Sequence, residues 1–178
     1  KKMEKYDIMM AEQPVPYKEI DNLARLRQKV GIPICADESA TDLNHLLEII
    51  EKDAVDLLFI KLAKCGGIRK GLKWAAIAEA AGIPVMMGCM TGTGFESAYQ
   101  AHFLAAVEWM GQMDHQENLG VAIIHDQFET VKKPITDDLA KNPLRIENGY
   151  QYAPDGPGLG VELNEKVLAK ITTKGLNP

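Results

Sequence analysis

Two carboxylates and a lysine stand at regular intervals early in the chain. Glu12 lies in Ala11-Glu12-Gln13-Pro14, Asp37 in Ala36-Asp37-Glu38-Ser39, and Lys61 in Ile60-Lys61-Leu62-Ala63-Lys64, just before Gly66-Gly67. The steps between them are 25 and 24 residues. That spacing is one strand–helix–strand unit of a parallel α/β fold. Each residue closes a short apolar run (Asp7–Ala11, Ile32–Ala36, Leu57–Ile60) that reads as a buried strand. Neighbouring strands lie about 4.8 Å apart, so side chains at adjacent strand ends can converge on one hard cation. Magnesium favours carboxylate oxygens, whereas zinc would want a His or Cys cluster, and the sequence offers none. A lysine where a buried strand emerges is costly unless it is paired or neutral, and burial lowers its pKa toward that of a general base. Each feature also has a plainer reading. A strand-end carboxylate can cap a helix, and Lys61 can simply pair with Asp37. Lys64, past the strand end, reads as structural.

The elements that must position these residues alternate strictly. Helices are expected over Ile20–Val30, from Thr41 or Asp42 through Ile50, over Arg69–Ala81 and over Glu96–Val107. Strands are expected up to Ala11, over Ile34–Ala36, over Leu57–Leu62 and over Ile83–Met87. The inward faces expected are Leu43, Leu46, Leu47 and Ile50 on the second helix, and Leu72, Ala75, Ala76 and Ala80 on the third. The strands are continuous apolar runs, as when both sheet faces are covered. No Gly-x-Gly-x-x-Gly follows the first strand and no Walker lysine motif occurs, which argues against a nucleotide-binding open sheet. A fifth strand is expected over Gln112–Gln116. A small hairpin with Asn148-Gly149 at its turn and a terminal helix over Asn164–Ile171 follow.

At 46% hydrophobic and 25% charged residues, the 178-residue chain can bury a core. A net charge of −5 argues against a nucleic-acid partner. No apolar run reaches the ~20 residues of a membrane span, so no membrane partner is expected. Three scattered cysteines fit neither a disulfide framework nor a zinc knuckle, and a reduced, cytoplasmic setting is expected. His45 and His102 read as ordinary helix histidines.

The set Glu-Gln-Pro, Ala-Asp-Glu-Ser and Ile-Lys-Leu-x-Lys-x-Gly-Gly resembles the enolase superfamily, in its muconate-lactonizing-enzyme subgroup. The tail Pro154–Leu163 is similar to that subgroup's usual end. The resemblance implies an α/β fold: the C-terminal part of a (β/α) barrel, with strands four to eight in residues 1–142 and a tail, 143–178, returning toward an N-terminal capping domain. It implies a Mg²⁺ cofactor, a small-molecule carboxylate substrate, and abstraction of the proton α to that carboxylate through an enediolate. Glu12 and Asp37 then match metal ligands, Lys61 the acid/base lysine, and Glu38 a residue beside the metal. Thr91, Thr93, Asp114 and Gln116 match substrate-binding positions.

The subgroup also has a further metal-binding aspartate and a Lys-x-Lys that this sequence lacks. The chain therefore reads as the C-terminal part of a larger enzyme, whose N-terminal part is a partner, within a homo-oligomer. The reaction implied is epimerisation or racemisation of a dipeptide or amino-acid derivative. Cycloisomerisation or dehydration on the same scaffold is the alternative, and a catalytically incomplete structural chain is an alternative of another class. One departure concerns specificity. Where dipeptide epimerases carry Asp-x-Asp, this chain reads Asp114-His115-Gln116, which removes one charge-assisted bond to a substrate ammonium, worth roughly 1.5–3 kcal/mol. Gly92 likewise stands where many relatives carry an acidic residue.

Overall fold

The computed structural model describes residues 1–90, 92–111, 138–141, 145–148 and 150–172. The chain divides into two compact units. One holds Lys1–Gly88 and the described residues from Val107 to 111; the other holds Cys89–Ala106 and the described residues from Asp138 onward.

The first unit is built on a parallel sheet of four strands in the order β1-β2-β3-β4: β1 Ala11–Glu12, β2 Ile34–Ala36, β3 Leu57–Ile60 and β4 Val85–Met87. The helices between them are α1 (Ile20–Arg27), α2 (Leu43–Glu51), and α3 (Leu62–Cys65) with α4 (Ile68–Ala80). Every residue of β2 and β4 is buried, as expected for strands covered on both faces. Among the described residues β1 and β4 each have a single neighbour, and the strand expected over 112–116 lies outside them.

The first strand is shorter than its apolar run. Glu4–Tyr6 form a 3-10 turn closed by Asp7 in the left-handed region, φ 52°. That turn lies ahead of the run, Asp7–Met10 form no strand, and only Ala11–Glu12 pair with β2. Helix α1 ends at Arg27, where Gln28 and Lys29 close a last tight turn ahead of Gly31 and Pro33.

Two helical faces are rotated from the expected stripes. On α2, Leu46 and Ile49 are buried and Leu47 is exposed. Asp42 fixes the start of this helix, accepting from the N–H groups of Asn44 (2.9 Å) and His45 (3.0 Å). On α4 the buried face is Gly71, Trp74, Ala75 and Ala78, while Leu72 is exposed. The indole decides this rotation. Trp74 is the larger apolar group to bury, and its Nε1–H finds the Ala40 carbonyl at 3.3 Å. Short helix α6 (Glu108–Gly111) packs at β4.

In the second unit, α5 runs over Gly94–Ala106. Both oxygens of buried Asp138 accept the Gly94 N–H, at 3.1 and 2.9 Å. Ala98 packs against Ile146, Leu159 and Val161. Strands β5 (Ile146–Glu147) and β6 (Tyr150–Gln151) form the expected antiparallel hairpin, with Asn148 left-handed at φ 53°. Helix α7 (Glu165–Ile171) starts at Asn164, whose side chain accepts the Val167 N–H. Among the described residues no helix is long and apolar enough to cross a membrane.

Candidate active site

Register and pleat place the predicted residues together. Glu12 pairs with Cys35 across β1 and β2, so their side chains share one face of the sheet. Side chains two apart on a strand share a face. Cys35 therefore carries Asp37 with it, Phe59 carries Lys61, and Met86 carries Gly88. Phe59 pairs with Met86, and Cys35, Phe59 and Met86 form one buried apolar cluster. The Glu12, Asp37, Lys61 and Gly88 positions lie at the C-terminal edge of that floor.

Polar contacts join Asp37 to Lys61 and Lys64. Lys61 Nζ donates to Asp37 Oδ2 at 2.5 Å and lies 5.9 Å from the centroid of the Phe59 ring. Lys64 Nζ donates to the other oxygen, Asp37 Oδ1, and stands 4.0 Å from Glu38 Oε1. Asp37 is only 1% exposed. Burial pushes its carboxyl up, but the hydrogen bonds and charges of the two lysines outweigh burial, and the net shift is downward. Burial also pushes the Cys35 thiol far up. The charges of Glu12 and Asp37 add to that shift, and Lys61 opposes it.

Sequence reasoning underrated three residues. Lys64 is three positions beyond Lys61, but the single turn of α3 folds it back over Asp37. Gly88 gives Lys61 room: a methyl group there would stand 2.7 Å from Lys61 Cε. Gln13 bonds the loop after β1 to the loop after β2. A polar residue locked between a strand-end carboxylate and a proline was the available signal for it.

Glu38 opens a 3-10 turn, Glu38–Ala40, with its side chain largely exposed beside Lys64. Thr93 belongs to the second unit, where its Oγ1 accepts the Phe95 N–H at 3.3 Å. Thr91, Asp114 and Gln116 lie outside the described residues. In that unit Glu96 fills the space beside Gly92, where a Cβ would meet its Oε2 at 1.6 Å. His102 Nε2 lies 3.3 Å from the Leu159 carbonyl, an ordinary structural contact.

Among the described residues no group of three or more His, Cys, Asp or Glu could hold a metal ion. Glu12 and Asp37 are two hard oxygen donors at neighbouring strand ends, Glu12 being in register with Cys35, two residues before Asp37. The positive charge that a carboxylate as buried as Asp37 requires is supplied here by Lys61 and Lys64, which occupy both of its oxygens. Carboxylate oxygens are the donor type that Mg²⁺ takes, and Glu12 and Asp37 could supply two carboxylates of its ligand set.

The family model described as "Enolase C-terminal domain-like" matches residues 1–167. A mandelate racemase/muconate lactonizing family protein from Azoarcus sp. EbN1 is similar in structure, with a TM-score of 0.88 and 47% identity, covering 98% of this chain and 46% of that one. The hydrophobic dipeptide epimerase of Enterococcus faecalis is 40% identical over 161 residues, 88% of this chain and 41% of that protein. Muconate cycloisomerase 1 of Rhodococcus opacus is 33% identical over 161 residues, 88% of this chain and 39% of that protein. The chain spans about two fifths of the length of these curated relatives.

Proposed function

Because this chain belongs to the enolase C-terminal domain-like family, and its α/β fold is the C-terminal part of that family's barrel, we propose that it supplies half of an isomerase site that removes the proton α to a carboxylate. The substrate is a dipeptide or another amino-acid derivative, and the reaction is epimerisation or racemisation. Residues 1–142 provide barrel strands four to eight, and 143–178 the tail toward a capping domain.

Glu12 and Asp37 would hold Mg²⁺, with Glu38 beside them. The cation, when bound, stabilises the negative charge that the substrate carboxylate gains as the proton leaves. Lys61 takes the α-proton on one face of the substrate and returns it as an ammonium in the reverse direction. Its approach is restricted: the stem is held over Phe59 and Gly88, so the amine works from one side. The second base lies in the part of the enzyme outside this chain. The family resemblance gives Thr91, Thr93, Asp114 and Gln116 as its substrate-binding positions.

The observation that carries this reading is the 2.5 Å contact of Lys61 with a wholly buried Asp37, on the face that Glu12 shares. Cycloisomerisation is the second reading. It is favoured by Gln116, which cannot pair with an ammonium as a carboxylate would, and by the muconate cycloisomerase among the relatives.

The test uses the full-length protein with Mg²⁺ in D₂O, against a panel of dipeptides and N-acyl amino acids, followed by NMR. Deuterium uptake at the α-carbon that requires Mg²⁺ is expected. Metal-independent exchange, or none across the panel alongside turnover of a muconate, would contradict the primary reading.

A further inference from the structure

Gln13 has no charge to offer a cation or a proton, yet every hydrogen-bonding position of its amide is committed. Oε1 accepts the N–H groups of Asp37 and Ser39, each at 3.0 Å. Nε2 donates to the Val15 carbonyl at 3.0 Å and to Ser39 Oγ at 2.8 Å. Ser39 Oγ in turn donates to the Tyr17 carbonyl at 2.7 Å. A side-chain amide has two acceptor and two donor positions, and all four are used.

The backbone explains why. Gln13 N–H donates to the Cys35 carbonyl at 2.9 Å, a regular step of the β1–β2 ladder. In a continued parallel ladder the next bond would run from the Asp37 N–H to the Gln13 main-chain carbonyl. Gln13 instead sits at φ 38°, in the left-handed region that a residue with a side chain seldom adopts, and the main chain turns toward Pro14. Its side-chain oxygen takes the Asp37 N–H in place of the main-chain oxygen. Pairing with β2 thus continues past the end of a strand only two residues long. Such backbone strain persists where its surroundings over-determine it, and here four bonds do so.

We propose that Gln13 is a positioning residue of the cation site: its side chain completes the β1–β2 ladder and holds the strand ends that carry Glu12 and Asp37 together while the backbone after Glu12 leaves the sheet. This rests on the reading that Glu12 and Asp37 bind Mg²⁺.

The test is Mg²⁺ titration calorimetry on the full-length protein. Gln13→Met keeps the side-chain length and removes all four bonds, and its Mg²⁺ affinity is expected to fall by about 10–100-fold, as when a group that orients a metal ligand is lost. Leu46→Ala, a buried change on α2 that removes none of these bonds, is the control for lost stability and is expected to leave Mg²⁺ affinity unchanged. Ser39→Ala removes one partner only and is expected to weaken binding by about 2–5-fold. Asp37→Asn tests the underlying reading. If Asp37→Asn loses Mg²⁺ binding while Gln13→Met stays within about twofold of the parent, Gln13 does not position the site. An equal loss in Leu46→Ala would overturn it too. If Gln13→Met fails to fold, unchanged affinity in Ser39→Ala overturns the proposal. If Asp37→Asn binds Mg²⁺ as the parent does, the ligand reading fails and the proposal with it.

Discussion

Gly88 is the sharpest steric test of how Lys61 is held. An alanine methyl at this position would stand 2.7 Å from Lys61 Cε, 2.9 Å from Phe59 Cδ1 and 3.2 Å from Lys61 Cγ. Carbon atoms pack at about 3.5–4.0 Å, so the Cε contact is about 0.8 Å too short. Phe59 Cδ1 is about 0.6 Å too close as well, and this ring, buried and packed with Cys35 and Met86, can give only a little together with the Gly88 backbone. The lysine stem is the part that yields most. It must move by roughly 1 Å, and with it the amine leaves Asp37 Oδ2. Overpacking of this kind costs ~1–3 kcal/mol, which the folded state can absorb. A displacement near 1 Å in a reacting group is worth about 10²-fold in rate. Gly88→Ala in the full-length protein should therefore fold, with urea denaturation showing that modest loss, and should exchange the substrate α-proton about 10²-fold more slowly on the face that Lys61 serves. The assay is NMR in D₂O, one enantiomer at a time. Wild-type exchange in a folded Gly88→Ala would refute the idea that Gly88 exists to seat this lysine.

Three further outcomes follow from the same contacts. Asp42→Ala removes the cap of α2 and should cost about 1 kcal/mol in denaturant unfolding, with α-proton exchange unchanged. Asp37 titrates below its ordinary 3.8 in the folded state, so its contribution is present above that value and is lost as the pH falls through the lower folded one. Unfolding free energy followed from about pH 5 downward should fall less steeply in Asp37→Asn than in the parent. Cys35 is wholly buried with its thiol pushed far up, so iodoacetamide at about pH 8.5 should label it only after denaturation. Rapid labelling of Cys35 in the native protein would contradict the buried floor beneath the site.

The alternation of strands and helices was legible because it rests on apolar runs punctuated by Gly31-Ile32-Pro33, Gly66-Gly67 and Gly82. The positions of Glu12, Asp37 and Lys61 followed from those runs, since a strand's last residue is marked by where apolarity stops. Helix rotation was harder to read. On α4, Leu72 and Trp74 are both apolar, and only the Ala40 carbonyl waiting for an indole N–H decides between them. The length of β1 was hidden as well, because Asp7–Met10 is apolar enough for a strand while Asp7 turns left-handed. Gln13, Lys64 and Gly88 act through contacts to residues more than twenty positions away in the chain. The place of Gln13 between Glu12 and Pro14 was one local signal, but no local pattern names the partner, and the three roles emerged only once the sheet register was known.

The central claim is that Lys61 moves the proton while Glu12 and Asp37 hold the cation. The measurement that tests it most directly is α-proton exchange in the full-length Lys61→Ala variant, read by NMR in D₂O for each substrate enantiomer, with Mg²⁺ affinity measured on the same sample. Exchange should vanish for one enantiomer and persist for the other, with Mg²⁺ still bound, because a base has been removed and the carboxylate donors remain. Wild-type exchange from both enantiomers would make Lys61 a structural partner of Asp37. Loss of Mg²⁺ binding together with exchange on both faces would mean that the lysine organises the site and is not its base.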